Sequence, residues 1–336
     1  MRRPPAAGLS RRLLAGAVGL AVGAAALGLA SGCASDPPPP TVAPSDSLAL
    51  TGALARFDGL GTVLDAEGDA YALLDVASDS GRVLLQVIDL RRAVVTQTLG
   101  PIADGPGASP TAAADPAASP FHPTAPSPFV EFMPPGEFAW QQSADDRLLA
   151  VLNGAFFETP GAAATQLAFP IAENGVVVTG GSSPYGPGRP GAEAARWGAP
   201  LRALGLADSV AHVAPYDAAT GAPLGDAAFA EAVVSYAPGA HPTRIATRFQ
   251  VVGALDADGD GATETLLVAT SDGRTTIDAP AALLTRLGVA PEHQLALDGG
   301  ASVFLWNRRA GTLHQPAPAG GRGPQPLPHL LTVRIR

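Results

Sequence analysis

Beyond residue 48 only one stretch carries strong helical signals. This is "DAPAALLTRLGV", Asp278 to Val289, with Asp278 as N-cap, Pro280 in the first turn, apolar residues at helical spacing and Gly288 near the end. Elsewhere 39 glycines and 34 prolines break the apolar content into short runs bounded by turn residues. "GTVLDAEGDAYALLDV" and "GRVLLQVIDLRRAVVTQTL" read as strands separated by Asp/Gly turns, and "RLLAVLNGAFFE" as a buried strand ending in a polar Asn-Gly corner. "TQLAFPI" with "NGVVVTGG" reads as a hairpin. "SVAHVAPYD", "AEAVVSY", "FQVVGALD" and "ETLLVATS" add further strands. The last of these, the helix and "HQLAL" make a local β-α-β unit whose second strand delivers Asp298 at its C-terminal end, where ligands gather in such sheets. The expected fold is α+β: a single domain with a central mixed β-sheet, few helices and long loops.

The two ends look non-globular and leave about 290 residues for that domain. Four arginines, a Gly/Ala/Leu/Val run and small residues before Cys33 read as an export signal over residues 1–33. Cys33 is the only cysteine, so no intramolecular disulfide forms, and its place after Ala30-Ser31-Gly32 is similar to a lipobox, which marks it for acylation. "SRRLL" at Ser10 to Leu14 also resembles a twin-arginine signal, and a general-secretion signal fits as well. Residues 34–47, opening with "ASDPPPP", read as a stiff tether. The expectation is an exported, membrane-anchored lipoprotein facing the periplasm or cell exterior, its domain spanning 48–336 with a low-complexity insertion at 100–128. A net charge of −9 argues against nucleic acid as a partner, because phosphate-backbone binding needs a basic surface.

Two motifs invite chemistry. "LALDGGAS" runs an apolar strand into Asp298, two glycines and Ser302; a buried strand-end acid is costly unless paired, and glycines let backbone or ligand approach closely. Taken alone, it reads equally as a turn that Asp298 caps. "VLNGAFFE" presents Asn153 and Glu158 around an Asn-Gly corner that is also the commonest hairpin turn.

Taken in order, "NGAFFE", "TQLAFPI" with its following "NG", an Arg ahead of "VVGALDADGDG", a helix, "LALDGGAS" and the terminal "LPHLLTV" resemble the phosphodiester glycosidase family over about Ala150 to Val333. Asn153-Gly154-Ala155-Phe156-Phe157 stands where that family has Asn-Gly-Gly-Phe-Phe, and Leu297-Asp298-Gly299-Gly300-Ala301-Ser302 where it has Leu-Asp-Gly-Gly-Gly-Ser-Ser, with one glycine and one serine lost. Arg248 followed by Gly253 stands for Arg-Thr-Ala-Ile-Gly with one residue too many, and Arg244 is a rival for its position. The resemblance implies hydrolysis of a sugar-1-phosphodiester or a related envelope glycan linkage, so the expected partner is a carbohydrate or phosphoglycan. The leaving group is already anionic, so cleavage needs a carboxylate at the anomeric carbon and donors around the phosphate. Asp298 is then base or nucleophile, and the planar fork of Arg248 holds phosphate oxygens. The amides of Gly299, Gly300 and Ser302 add an anion nest, and Asn153 orients a hydroxyl or the attacking water. Glu158 is a second acid, and His329 in "LPHLL" lies near the site. The rival reading is a non-catalytic glycan-binding envelope lipoprotein on the same fold, suggested by the altered glycine and serine positions.

"DADGDGATE" sets Asp256, Asp258 and Asp260 at alternate positions, like the first half of a calcium loop, but position twelve is Leu267, which excludes an EF-hand; an acid-decorated turn explains the run as well. The six histidines show no metal-ligand spacing, no zinc site is expected, and the reaction implied requires no cofactor. No Gly-x-Ser-x-Gly elbow or Walker loop occurs, which disfavours Ser-His-Asp hydrolysis and nucleotide hydrolysis.

Overall fold

The Asp/Gly-punctuated opening folds as an antiparallel meander of β1 (Thr62–Glu67), β2 (Tyr71–Ser78) and β3 (Gly81–Asp89), after which β4 (Ala93–Leu99) leaves for another sheet. The computed structural model describes residues 50–78, 81–103, 119, 121–157, 163–182, 200–241, 245–318 and 323–336. The expected export signal, Cys33 and the tether, together with Glu158 and Arg244, lie outside the described residues.

β5 (Ile102–Ala103), β6 (Phe129–Glu131) and β8 (Ala164–Thr165) make a small three-stranded sheet, and α1 (Pro135–Gln142) precedes β7 (Leu148–Asn153). β9 (Ile171–Glu173), β10 (Val176–Thr179), β11 (Leu201–Ala207), β12 (Val210–Pro215) and β13 (Ala232–Tyr236) form a five-stranded sheet. In it β9 and β10 are the expected hairpin, turned by Asn174 and Gly175 at φ 51° and 76°. β14 (Gln250–Leu255), β15 (Thr265–Ser271) and β16 (Gln294–Leu297) complete a six-stranded sheet in the order β1-β2-β3-β15-β14-β16. β17 (Leu305–Asn307), β18 (Gly311–His314) and β19 (His329–Ile335) join β7 and β4 in the order β18-β17-β7-β19-β4.

Period-two alternation buries both faces of the six-stranded sheet. Leu267 and Ala269 of β15 join a core with Leu283 and Leu284 of the helix α2 (Asp278–Arg286), while Leu266 and Val268 face Leu152, Leu331 and Val333 of a second sheet, β18-β17-β7-β19-β4. Each such Leu or Val contributes about 1.5–3 kcal/mol. The outer face of the second sheet packs Leu148, Val151 and Leu330 against Ala139 of α1. α2 ends as the sequence predicts: Gly288 at φ 99° donates to Thr285 and Val289 donates to Leu284, which satisfies the last carbonyls of the helix. Asp278 is the first helical residue and Ile277 takes the capping position, so the helix starts one place earlier than expected.

The expected α+β fold with a central mixed sheet is corrected to a predominantly β fold of several antiparallel sheets. Every pairing between these strands is antiparallel, both in the hairpins such as β1-β2, β11-β12 and β14-β15 and between strands distant in sequence such as β3-β15 and β7-β19. The β-α-β unit does form, since β15 and β16 both pair antiparallel to β14 and so run the same way, but β14 lies between them and no parallel ladder results. The end of the 100–128 tract is anchored. Phe121 is core, its ring 5.2 Å from Phe169, and Tyr216 donates to its carbonyl at 2.6 Å.

Candidate functional site

β7 ends at Asn153, held between β17 and β19. Its side chain is 2% exposed and spends both polar atoms on one loop: Nδ2 donates to the Asp298 carbonyl at 2.7 Å and Oδ1 accepts the Phe304 amide at 2.9 Å. Gln250 grips the same loop, donating to the Phe304 carbonyl at 3.1 Å. The "NGAFF" and "LDGGAS" motifs therefore meet. Gly154 accepts the Asp298 amide at 2.9 Å, and a Cβ on Gly154 would lie 2.2 Å from His329 Nδ1, so only glycine fits. His329 Nδ1 accepts the Ala155 amide at 2.9 Å, which places the proton of the neutral ring on Nε2. Burial lowers the pKa of this imidazole to about 3.

Asp298 stands at the end of β16, 8% exposed. Burial raises its carboxyl to about 7, opposed by hydrogen bonds from the Ser302 side chain and from the Gly299 amide, the latter at 2.9 Å. Gly300 takes φ 64°, a left-handed conformation that a side chain would strain, and donates to the Arg248 carbonyl at 2.8 Å. The Ser302 amide donates to Gly299 at 3.2 Å. The amides of Gly299, Gly300 and Ser302, expected to form an anion nest, thus donate to the Asp298 carboxyl, the Arg248 carbonyl and the Gly299 carbonyl respectively.

Arg248 precedes β14 with its backbone against the Gly299–Gly300 turn, while its Nη1 donates to the Gln315 carbonyl at 2.7 Å. The Gln315 segment borders the same turn, since the Ala317 amide donates to Ala301 at 2.8 Å. His314 beside it is lowered to about 4, by burial first and then by Arg248 and Arg82, against the opposing pull of Asp272. Aromatic contacts also join the motifs. Phe156 lies 5.6 Å from the His241 ring, which lies 5.4 Å from Phe249, the neighbour of Arg248.

Asn153, Asp298, Gly299, Gly300, Ser302, His329 and the backbone of Arg248 are brought together; Asp256, Asp258 and Asp260 lie at the far end of β14, where with Glu264 they form an acidic cluster able to hold a metal ion. A cavity of about 400 Å³ lies elsewhere, between β4 and the β9–β10 and β11–β12 turns, and none of the site residues lines it. Sequence reasoning missed Gln250, Gln315, His314 and Glu264. Only Glu264 had a visible signal, as the acid that closes "DADGDGATE".

No protein-family model matches the chain, and no curated protein matches it. Among solved structures the chain is similar to a protein of Burkholderia pseudomallei K96243 assigned as exported, at 13% identity and a TM-score of 0.41, over 79% of this chain and 74% of that one. It is also similar to the zebrafish N-acetylglucosamine-1-phosphodiester α-N-acetylglucosaminidase catalytic domain auto-inhibited by its pro-peptide, at 16% identity and a TM-score of 0.46, over 79% of this chain and 82% of that one.

Proposed function

We propose that this chain is an exported hydrolase that cleaves a sugar-1-phosphodiester or a related envelope glycan linkage, with Asp298 as its acid–base group. The observation that carries the reading is the contact of the two motifs. Asn153 fixes the backbone on both sides of the Gly299–Ser302 turn and so holds a buried carboxyl at a strand end. That carboxyl, raised to about 7, is poised near neutrality to take a proton from an attacking water, which suits a general base better than a nucleophile that must stay ionised. The bond broken joins the anomeric carbon to the phosphate oxygen. The phosphate ester departs as an anion, and the water oxygen joins the sugar. Arg248 supplies the cation for the phosphate, and Ser302 orients the Asp298 carboxyl. Asn153 serves by positioning the turn, since both its polar atoms are engaged there. Export and a lipid anchor at Cys33 belong to this reading on the strength of the sequence.

A non-catalytic glycan-binding lipoprotein on the same fold is favoured by one observation, the commitment of Asn153 and the turn amides to the protein itself. A cation at the 256–264 loop would sit six strand residues from the site end of β14, about 20 Å at about 3.3 Å per residue, and would act on stability. Incubating the full chain with a synthetic N-acetylglucosaminyl-1-phosphodiester in ¹⁸O-water tests the reaction. Label in the released sugar is expected; label in the phosphate, or saturable binding with no release, contradicts it.

A further inference from the structure

The hairpin from β14 to β15 turns through "DADGDGATE", Asp256 to Glu264. One carboxylate oxygen from each of Asp256, Asp258, Asp260 and Glu264 lies within 4.8 Å of the others. Oxygens that share a calcium ion at about 2.3–2.6 Å stand at most about 4.6–5.2 Å apart, so this spacing is in the range that one shared ion sets. The loop is folded to converge them. Gly259 and Gly261, at φ 82° and 94°, bring their amides back onto Asp256 at 2.6 and 2.9 Å.

A second observation points to a cation. Glu264 is the buried member of the set, 2% exposed, and its Oε2 has no hydrogen-bond partner. Its other oxygen, Oε1, accepts the Ala257 amide at 3.2 Å and the Thr265 hydroxyl at 3.5 Å. An ionised oxygen without a partner at that depth is costly, and the cost grows with three further carboxylates beside it. Arg91 answers only part of this charge. Its guanidinium reaches Asp258 at 2.9 Å and Glu264 Oε1 at 3.8 Å while also serving Asp89 at 3.1 Å, so one positive charge is divided among three acids.

We propose that the β14–β15 loop is a calcium site in which Asp256, Asp258, Asp260 and Glu264 supply the carboxylate ligands. The donor set is all oxygen, with no histidine or cysteine, which disfavours zinc and copper. Magnesium demands near-ideal octahedral geometry and parts reluctantly with its waters, whereas calcium accepts the irregular shell that a glycine-containing loop provides. The spacing is not that of an EF-hand, because the closing acid is the ninth residue and not the twelfth. Through the Leu90 amide, which donates to the Glu264 carbonyl at 2.8 Å, the ion ties this hairpin to the β3–β4 turn. Its role is independent of the reaction at Asp298.

Calcium chloride titrated calorimetrically into the chelator-stripped full chain is expected to show one saturable site, with magnesium at least tenfold weaker. Calcium is expected to raise the melting temperature by several degrees over EDTA. The double substitution Asp258→Asn, Asp260→Asn keeps shape while removing two charges, and is expected to abolish that calcium-dependent difference. Absence of saturable calcium binding by the wild type, or a calcium-dependent rise that persists in the double variant, overturns the assignment.

Discussion

The side-chain amide of Asn153 donates to the main-chain carbonyl of Asp298 at 2.7 Å across 145 positions of sequence, and its oxygen takes the Phe304 amide at 2.9 Å. Asn153→Ala strips two buried backbone groups of their partners and is expected to destabilise the fold by about 2–4 kcal/mol. Asn153→Asp should cost a comparable amount, because an ionised carboxylate accepts the Phe304 amide but cannot donate to the Asp298 carbonyl. Urea unfolding of both variants checks this; wild-type midpoints would show that the clamp carries no load.

Gly154 and His329 form a second interlock. A Cβ at residue 154 would meet Nδ1 at 2.2 Å and Cε1 at 2.6 Å, and the ring cannot retreat, being 1% exposed and bonded to the Ala155 amide. Gly154→Ala is expected to cost more than about 2 kcal/mol. A double-mutant cycle with His329→Ala should recover part of that loss, because the small side chain removes the clash. Strictly additive losses would contradict the interlock.

Much of this arrangement was legible in the sequence. Period-two runs with Gly/Asp turns gave the strands, and Pro280 with Gly288 gave α2, because those signals act over a few residues. Which strands become neighbours depends on contacts made at a distance, so the insertion of β14 between β15 and β16 was invisible and a mixed sheet was expected in place of antiparallel ones. The same limit hid the function of Asn153. An Asn-Gly pair reads locally as a hairpin corner, yet here β7 has β17 and β19 as partners and its asparagine clamps a distant turn. Ser302 was legible as a polar turn residue, but its bond to the Asp298 carboxyl and the engagement of the turn amides are facts of the folded loop.

The two buried titratable groups make stability depend on pH in opposite senses. Asp298 holds its proton up to about 7 against a usual 3.8, so between those values the folded state binds more protons and stability falls as pH rises. Asp298→Asn should therefore be more stable than wild type at pH 8, by up to about 4 kcal/mol, with the difference fading below about pH 4. His329, lowered from 6.5 to about 3, is neutral in the fold, so its contribution is present above about 6.5 and is lost as pH falls toward 3. His329→Gln should flatten that acid limb. Chemical unfolding of the wild type and both variants from pH 3 to 9 separates the effects; parallel curves throughout would contradict both.

The central claim is that the carboxyl of Asp298 works in the transition state. Steady-state hydrolysis of a synthetic N-acetylglucosaminyl-1-phosphodiester by wild type and Asp298→Asn tests it, because the substitution keeps size and hydrogen bonding while removing the titrating group. With Asp298 as the acid–base group, kcat should fall by about a hundredfold or more while KM changes by less than about threefold. Equal turnover by the two proteins would contradict the claim and leave "LALDGGAS" a structural turn.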